Sequence, residues 1–335
     1  MSDDKQELPT ESLREAALKG AVEAKLVLAK RLLSQEPYDI PAGCQWARAA
    51  AADGNAEAEH LLAVATAEGL GPRQDWQVAL DHLTRSAELG DVRARAELAA
   101  LAGDWSPSDA ADWSASTRNW KVLRQAVDVT AWLRSPTPQV VSPSPRIAVI
   151  ERFASPEICG WLIERARAGL VRAQTIDPKT GLAHYEETIR TNSCCAFDVA
   201  HMDMVLVMLR ARIARLTQLP ILGFEDSQVL HYDPGEEFKP HFDFLDTAQP
   251  GHAAAVASGG QRVLTFLIYL NEGYEGGETA FPLLGWRYKG RPGDALFFYN
   301  ATPDGQPDRR TLHAGTATTR GEKYLFSQWV RFRVG

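Results

Sequence analysis

Apolar positions in the first 134 residues recur at helical spacing and are supplied by alanine and leucine rather than β-branched residues, which predicts helices. Gly20-Ala21-Val22-Glu23-Ala24, Gly54-Asn55-Ala56-Glu57-Ala58 and Gly90-Asp91-Val92-Arg93-Ala94 share one pattern and begin 34 and then 36 residues apart. Matching helical runs precede the second and third, Cys44 to Gly54 and Asp81 to Gly90, with Trp46 and His82 at equivalent places. A period in the middle thirties signals a solenoid of paired helices. A glycine at a helix end followed by small residues permits a tight turn and close packing. From Trp105 to Arg134 one or two further helices are expected to cap the array, with Trp120, Leu123, Val127 and Ala131 on the apolar face.

"SPTPQVVSPSP", Ser135 to Pro145, breaks helix repeatedly and predicts a stiff, extended linker. Beyond it the pattern changes. "RIAVIERF" is a short strand, and Ser155-Pro156 opens a helix through "EICGWLIERARAG". A second helix is expected over Asp203 to Leu216. Strand-like runs follow at Gln228 to Tyr232, Val263 to Leu270, Ala295 to Tyr299 and Lys323 to Phe332, separated by Gly, Pro, Asn and Asp turns. Many short antiparallel strands with flanking helices suggest a jelly-roll core. The expected organisation is a flexible tail (1–11), a helical repeat domain (12–134), a Pro-rich linker (135–146) and an α+β domain (147–335). The fold class is therefore an α-helical repeat solenoid followed by a double-stranded β-helix of jelly-roll, cupin-like type.

A formal net charge of −7 argues against a general nucleic-acid binder, which would display a basic face. The first twenty residues lack a basic and then apolar leader, and no window is long enough to span a bilayer. The four cysteines, Cys44, Cys159, Cys194 and Cys195, form no C-x-x-C pair and no disulfide framework. A reduced, cytoplasmic protein is expected.

The candidate chemistry starts in "EFKPHFDFLD". In an extended strand residues i and i+2 share a face, so His241 and Asp243 aim a nitrogen and an oxygen at one point. On that pair alone an edge-strand His and Asp facing solvent fits as well. His313 in "RRTLHAG" would add a second imidazole, giving the two-His, one-carboxylate set that leaves other positions on a metal open. No fourth ligand of a closed zinc site is evident, although a zinc hydrolase on the same three residues remains open. Lys323 lies ten residues further on among apolar neighbours, so an inward-facing ammonium there must meet an anion or lose its charge. The alternative is an edge-strand lysine that blocks aggregation. His231 reads as a packing residue, Gly293-Asp294 as a turn and Glu278 as a loop residue rather than a base.

The glycine spacing and Gly69-Leu70-Gly71 resemble Sel-like repeats of the tetratricopeptide group, which implies protein or peptide binding. "QVLHYDPGEEFKPHFD", "QRVLTFLIYLN", "GGETAFP", "RPGDALFFYN" and "TLHAG…RGEKYLFSQWV" resemble the iron(II)- and 2-oxoglutarate-dependent dioxygenases of prolyl 4-hydroxylase type, in that order, over Arg146 to Arg333. The resemblance implies hydroxylation of a C–H bond with conversion of 2-oxoglutarate to succinate, using Fe(II), O₂ and ascorbate as reductant. It places iron on His241, Asp243 and His313, the distal carboxylate of 2-oxoglutarate on Lys323 and Tyr232, and Thr265 against the same carboxylate. Arg190, Arg262 and Trp329 match the substrate groove. A peptidyl proline, docked by the repeats, is the implied substrate, with no nucleic acid and no membrane as partner. A hydroxylase of a free amino acid or other small molecule and a catalytically idle, repeat-based interaction protein are the alternatives. Two departures, Thr316-Ala317-Thr318 and Arg190-Thr191-Asn192-Ser193-Cys194-Cys195, flank the substrate side. The small-residue stretch Leu245 to Gln261 is expected to be a disordered insertion or a lid ordered by substrate.

Overall fold

The structure is a computed structural model describing residues 9–71, 73–106, 113–302 and 304–333. It divides into two compact units, the residues up to Trp132 with Val199–Met208, and Leu133–Asp198 with Leu209–Gly335.

The first unit contains α1 (Thr10–Leu18), α2 (Val22–Ser34), α3 (Ile40–Ala52), α4 (Ala56–Glu68), α5 (Trp76–Glu88), α6 (Val92–Ala102), α7 (Trp120–Ala126) and α8 (Val129–Trp132). The predicted repeat boundaries are helix starts. Asp39, Asn55, Asp75 and Asp91 each cap a helix by accepting a backbone N–H from its first turn. Ala47, Ala58, Ala63, Ala79 and Ala94 are fully buried, so successive helices approach closely without large side chains between them. Of the expected tail, residues 1–8 lie outside the described residues, while Thr10 already begins α1. Within Trp105 to Arg134, α7 and α8 are short, and 107–112 lie outside the described residues.

This alanine-rich interior holds a buried polar cluster. His60 Nε2–H donates to Glu97 Oε1 (2.7 Å), and Arg93 Nη2 donates to His60 Nδ1 (2.6 Å). The second Glu97 oxygen accepts from the Met204 backbone N–H (3.0 Å). Glu97→Leu leaves two buried donors without an acceptor, at about 1–3 kcal/mol each. A markedly lower melting temperature is expected, whereas an unchanged one would show that the cluster contributes nothing.

The second unit opens with a correction to the linker. Gln139–Pro143 is a strand, β1, paired antiparallel with β2 (Arg146–Ile150). The remaining strands are β3 (Val171–Arg172), β4 (Thr175–Ile176), β5 (Ala183–His184), β6 (Ser193–Phe197), β7 (Ser227–Tyr232), β8 (Phe238–His241), β9 (Gln261–Tyr269), β10 (Glu275–Gly276), β11 (Thr279–Phe281), β12 (Trp286–Tyr288), β13 (Ala295–Tyr299), β14 (His313–Gly315), β15 (Thr318–Arg320) and β16 (Lys323–Phe332). The helices are α9 (Pro156–Arg167), α10 (Met204–Thr217), whose first turns belong to the other unit, and α11 (Pro250–Gly259).

An eight-stranded sheet in the order β1-β2-β13-β9-β16-β7-β6-β3 and a four-stranded sheet in the order β12-β11-β14-β8 supply the jelly roll, and both are antiparallel throughout. Their shared core takes Ile147, Leu230, Leu267, Phe298 and Leu325 from the large sheet and Phe281 from the small one. The fold class is the expected one, a helical repeat region followed by a jelly-roll domain. Within the 245–261 stretch, expected as a disordered insertion or a lid, Pro250–Gly259 is a formed helix, α11, with Pro250 in its first turn. Thr318–Arg320 forms β15, paired with β10.

Candidate active site

His313 on β14 lies directly across from His241 on β8, so strand pairing alone brings the two imidazoles together. Their ring centroids are 4.3 Å apart. Asp243 sits just past the end of β8, not within it, and turns its carboxylate between the rings. Its Oδ1 is 3.6 Å from His241 Nε2 and its Oδ2 is 3.4 Å from His313 Nε2. One donor atom from each of the three lies within 4.8 Å of the others. An ion bonded at about 2.0–2.2 Å to nitrogen and oxygen fits a set of that size after small side-chain adjustments.

The tautomers are fixed by the backbone. His241 Nδ1 faces the Lys239 carbonyl at 2.7 Å and His313 Nδ1 faces the Thr311 carbonyl at 3.0 Å. A carbonyl only accepts, so each Nδ1 carries the proton and each Nε2 lone pair is directed at Asp243. Burial, assisted by His313, lowers the pKa of His241 and keeps the imidazole neutral, as a metal ligand must be. Burial alone would raise the Asp243 carboxyl, but His313 and His241 outweigh it and hold it well below the usual range. Phe238 stacks on His241, and Phe281 and Phe298 enclose His313, so the cluster is shielded from bulk water. The donor set is the one non-haem Fe(II) takes when positions must stay open for other ligands.

Lys323 and Tyr232 are cross-strand partners on β16 and β7. Lys323 is 1% exposed, and its Nζ lies 4.7 Å from the Tyr232 ring centroid and 5.8 Å from that of Tyr269. Among the described residues its ammonium has no salt bridge or hydrogen bond, and burial lowers its pKa to about 7. Burial also pushes the Tyr232 hydroxyl up to about 12, so it stays a neutral donor. One cavity is lined by His241, Asp243, His313, Tyr232, Lys323 and Thr279, so the three metal-type donors and the buried cation share a wall.

Two further groups pack beside the Lys323 side chain. Thr318 is fully buried with no hydrogen-bond partner for its hydroxyl among the described residues. A Cβ on Gly277 would stand 3.2 Å from both Thr318 Oγ1 and Lys323 Cδ, and its φ of +69° already favours glycine. The Gly276-Gly277 pair in "GGET" was the available signal.

Thr265 lines the same cavity as Lys323 and Tyr232. Its hydroxyl donates to Asp243 Oδ2 at 2.6 Å and accepts from Asn300 Nδ2 at 2.9 Å, so it also orients the carboxylate. Loss of such a supporting bond costs about 10–100-fold in metal affinity. Thr265→Val is therefore expected to weaken Fe(II) binding by about that factor and Thr265→Ser to restore it. Titration with the metal reads this directly, and equal affinities would remove the positioning role.

Arg190, Arg262 and Trp329 all line a broad cavity of about 810 Å³ that also reaches His241 and Asp243. Arg190 spends its Nε on Asn192 and its Nη1 on the Gln174 carbonyl, while its buried Nη2 has no partner among the described residues. Arg262 is otherwise engaged. It forms a two-pronged pair with Glu225 (2.6 and 2.7 Å) and stacks 4.1 Å from the Trp329 ring centroid, so it shapes the wall with its charge already matched. Glu278 accepts from Thr316, and Asp294 accepts from the Arg152 and Arg291 N–H groups, as a loop and a turn residue would.

Fold and site define a jelly-roll oxygenase of the two-His, one-carboxylate kind. Residues 227–331 match the 2OG-Fe(II) oxygenase superfamily. Prolyl 4-hydroxylase 1 of Arabidopsis thaliana is 38% identical over 211 residues, a span covering 58% of this chain and 71% of the relative. The chain belongs to this family, the prolyl 4-hydroxylase-type 2-oxoglutarate-dependent dioxygenases. Among solved structures, the viral collagen prolyl hydroxylase of Paramecium Bursaria Chlorella virus-1, in its 2OG complex, is 29% identical with a TM-score of 0.43, covering 56% of this chain and 96% of that one. A Sel1 repeat protein from Oxalobacter formigenes is 25% identical with a TM-score of 0.28, covering 38% of this chain and 96% of that one.

Proposed function

We propose that the protein hydroxylates a prolyl residue of a protein or peptide, with Fe(II) held by His241, Asp243 and His313. The reading is carried by one observation, the cavity in which three metal-type donors and a buried, unpaired Lys323 meet. Lys323 and the Tyr232 hydroxyl anchor the distal carboxylate of 2-oxoglutarate by a charge-assisted contact and a hydrogen bond. When bound, the iron supplies insertion of one oxygen atom of O₂ into a C–H bond as 2-oxoglutarate becomes succinate and CO₂. The protein's part is placement and exclusion of water. Thr265 fixes the Asp243 carboxylate, the two backbone carbonyls fix the imidazoles, and Phe238, Phe281 and Phe298 shield them.

The broad cavity beside the triad suits an extended chain, and Arg190 offers its spare N–H to a substrate carbonyl. The helical repeats serve to dock that chain, consistent with the use of paired-helix arrays as peptide-binding surfaces. Incubation with Fe(II), 2-oxoglutarate and proline-containing peptides should give succinate and a peptide mass gain of one oxygen atom. The His313→Ala variant should give neither. An identical pattern from the two proteins would overturn the assignment. Succinate without any modified peptide would keep the oxygenase and remove the prolyl substrate.

A further inference from the structure

The face of β7 and β16 turned away from the cavity carries a second set of donors. His231 and Asp233 are two residues apart on and just past β7, on the opposite side from Tyr232. Glu322 immediately precedes β16, whose first two residues pair with Tyr232 and His231. His231 Nε2 lies 3.6 Å from Glu322 Oε2 and 3.9 Å from Asp233 Oδ1, and one donor atom from each of the three falls within 4.8 Å of the others.

Two carboxylates near a histidine are commonplace on a surface, and alone they would carry nothing. The independent observation is the imidazole. His231 is only 8% exposed, and its buried Nε2 has no hydrogen-bond partner among the described residues although it is aimed at both carboxylates. Leaving a buried nitrogen unsatisfied is costly, a penalty that a ligand at this point would remove. The Tyr324 ring, 4.6 Å away centroid to centroid, holds the imidazole in place. The two carboxylates are more than half exposed, so they are free to close the remaining fraction of an ångström.

We propose that His231, Asp233 and Glu322 form a second divalent-cation site, separate from the triad. One imidazole with two carboxylates suits a borderline ion such as Zn²⁺, with water completing its shell, whereas Mg²⁺ and Ca²⁺ prefer oxygen alone. Arg167, which bonds Tyr324 and lies near Glu322, is the neighbouring positive charge, and two carboxylates exceed it. The ion would tie the end of β7 to the start of β16. Directly behind that tie is the Tyr232–Lys323 pair, so the site acts as a brace on the anchor side of the cavity. Nothing in this inference requires the proposed reaction.

The test is Zn²⁺ titration of the full chain stripped of metal, followed by calorimetry and repeated with Co²⁺ for its visible spectrum. Wild type should bind two equivalents. Asp233→Asn/Glu322→Gln, which alters only exposed side chains, should keep one and weaken the other by at least about tenfold, as should His231→Ala. His241→Ala/His313→Ala should lose the other site and still gain melting temperature on adding Zn²⁺. No equivalent bound by His241→Ala/His313→Ala, or wild-type stoichiometry and affinities that survive the Asp233→Asn/Glu322→Gln change unaltered, would overturn the proposal.

Discussion

Asp243→Asn is expected to abolish both Fe(II) retention and succinate formation, each by more than about a hundredfold, while leaving the fold intact. The substitution keeps the shape of the side chain and an oxygen able to accept from Thr265 Oγ1, now 2.6 Å away. What it removes is the negative charge set between two neutral imidazoles. The three donors then have no charge with which to match a divalent ion, and an amide N–H₂ turned toward His241 or His313 would repel it. Fe(II) titration and coupled succinate measurement separate the two losses. Retained metal affinity with lost turnover would mean that Asp243 acts in the reaction without serving as a ligand.

His241, Asp243, His313 and Lys323 could be picked out of the sequence only together, through the five motif blocks that resemble the family, since each alone also fits a surface or edge-strand residue. What could not be read was how distant strands divide the labour. Thr265 lies on β9 and Asp243 beyond β8, and only the folded sheets bring the hydroxyl onto the carboxylate. The Glu225 partnership that occupies Arg262 and Arg331 is likewise a product of tertiary packing. The misread linker has a simpler cause. Proline disfavours a strand because it lacks an N–H, but that objection fails at a sheet edge, and β1 is the outermost strand of its sheet. In the 245–261 stretch, Ala253-Ala254-Ala255 behind Pro250 was a helix signal that its small side chains concealed.

Lys323→Met should give a protein that is more stable than wild type near neutral pH yet binds 2-oxoglutarate far more weakly. Burial lowers the lysine pKa from 10.5 to about 7, so between those values the unfolded chain holds more protons than the folded one. Stability of the free wild-type protein therefore rises with pH across that window, and the full penalty of the buried charge is present below it. Methionine fills similar space without a charge and should lose that slope, which thermal melts at several pH values would record. Binding runs the other way. A dianion pairs only with the protonated amine, so wild-type affinity should be flat below about pH 7 and fall by up to tenfold per unit above it, until the pKa of the complex is reached. Truncating one partner of a desolvated, hydrogen-bonded charge pair costs about 2–5 kcal/mol, so Lys323→Met should weaken 2-oxoglutarate by roughly 30- to several-thousand-fold and make its affinity independent of pH over this range. Lys323→Arg should not rescue it, because the longer, planar guanidinium does not fit a space closed by Tyr232, Tyr269 and the Gly277 backbone. If Lys323→Met instead bound 2-oxoglutarate as wild type does, the anion would have to be held elsewhere and the buried ammonium would be left without a role.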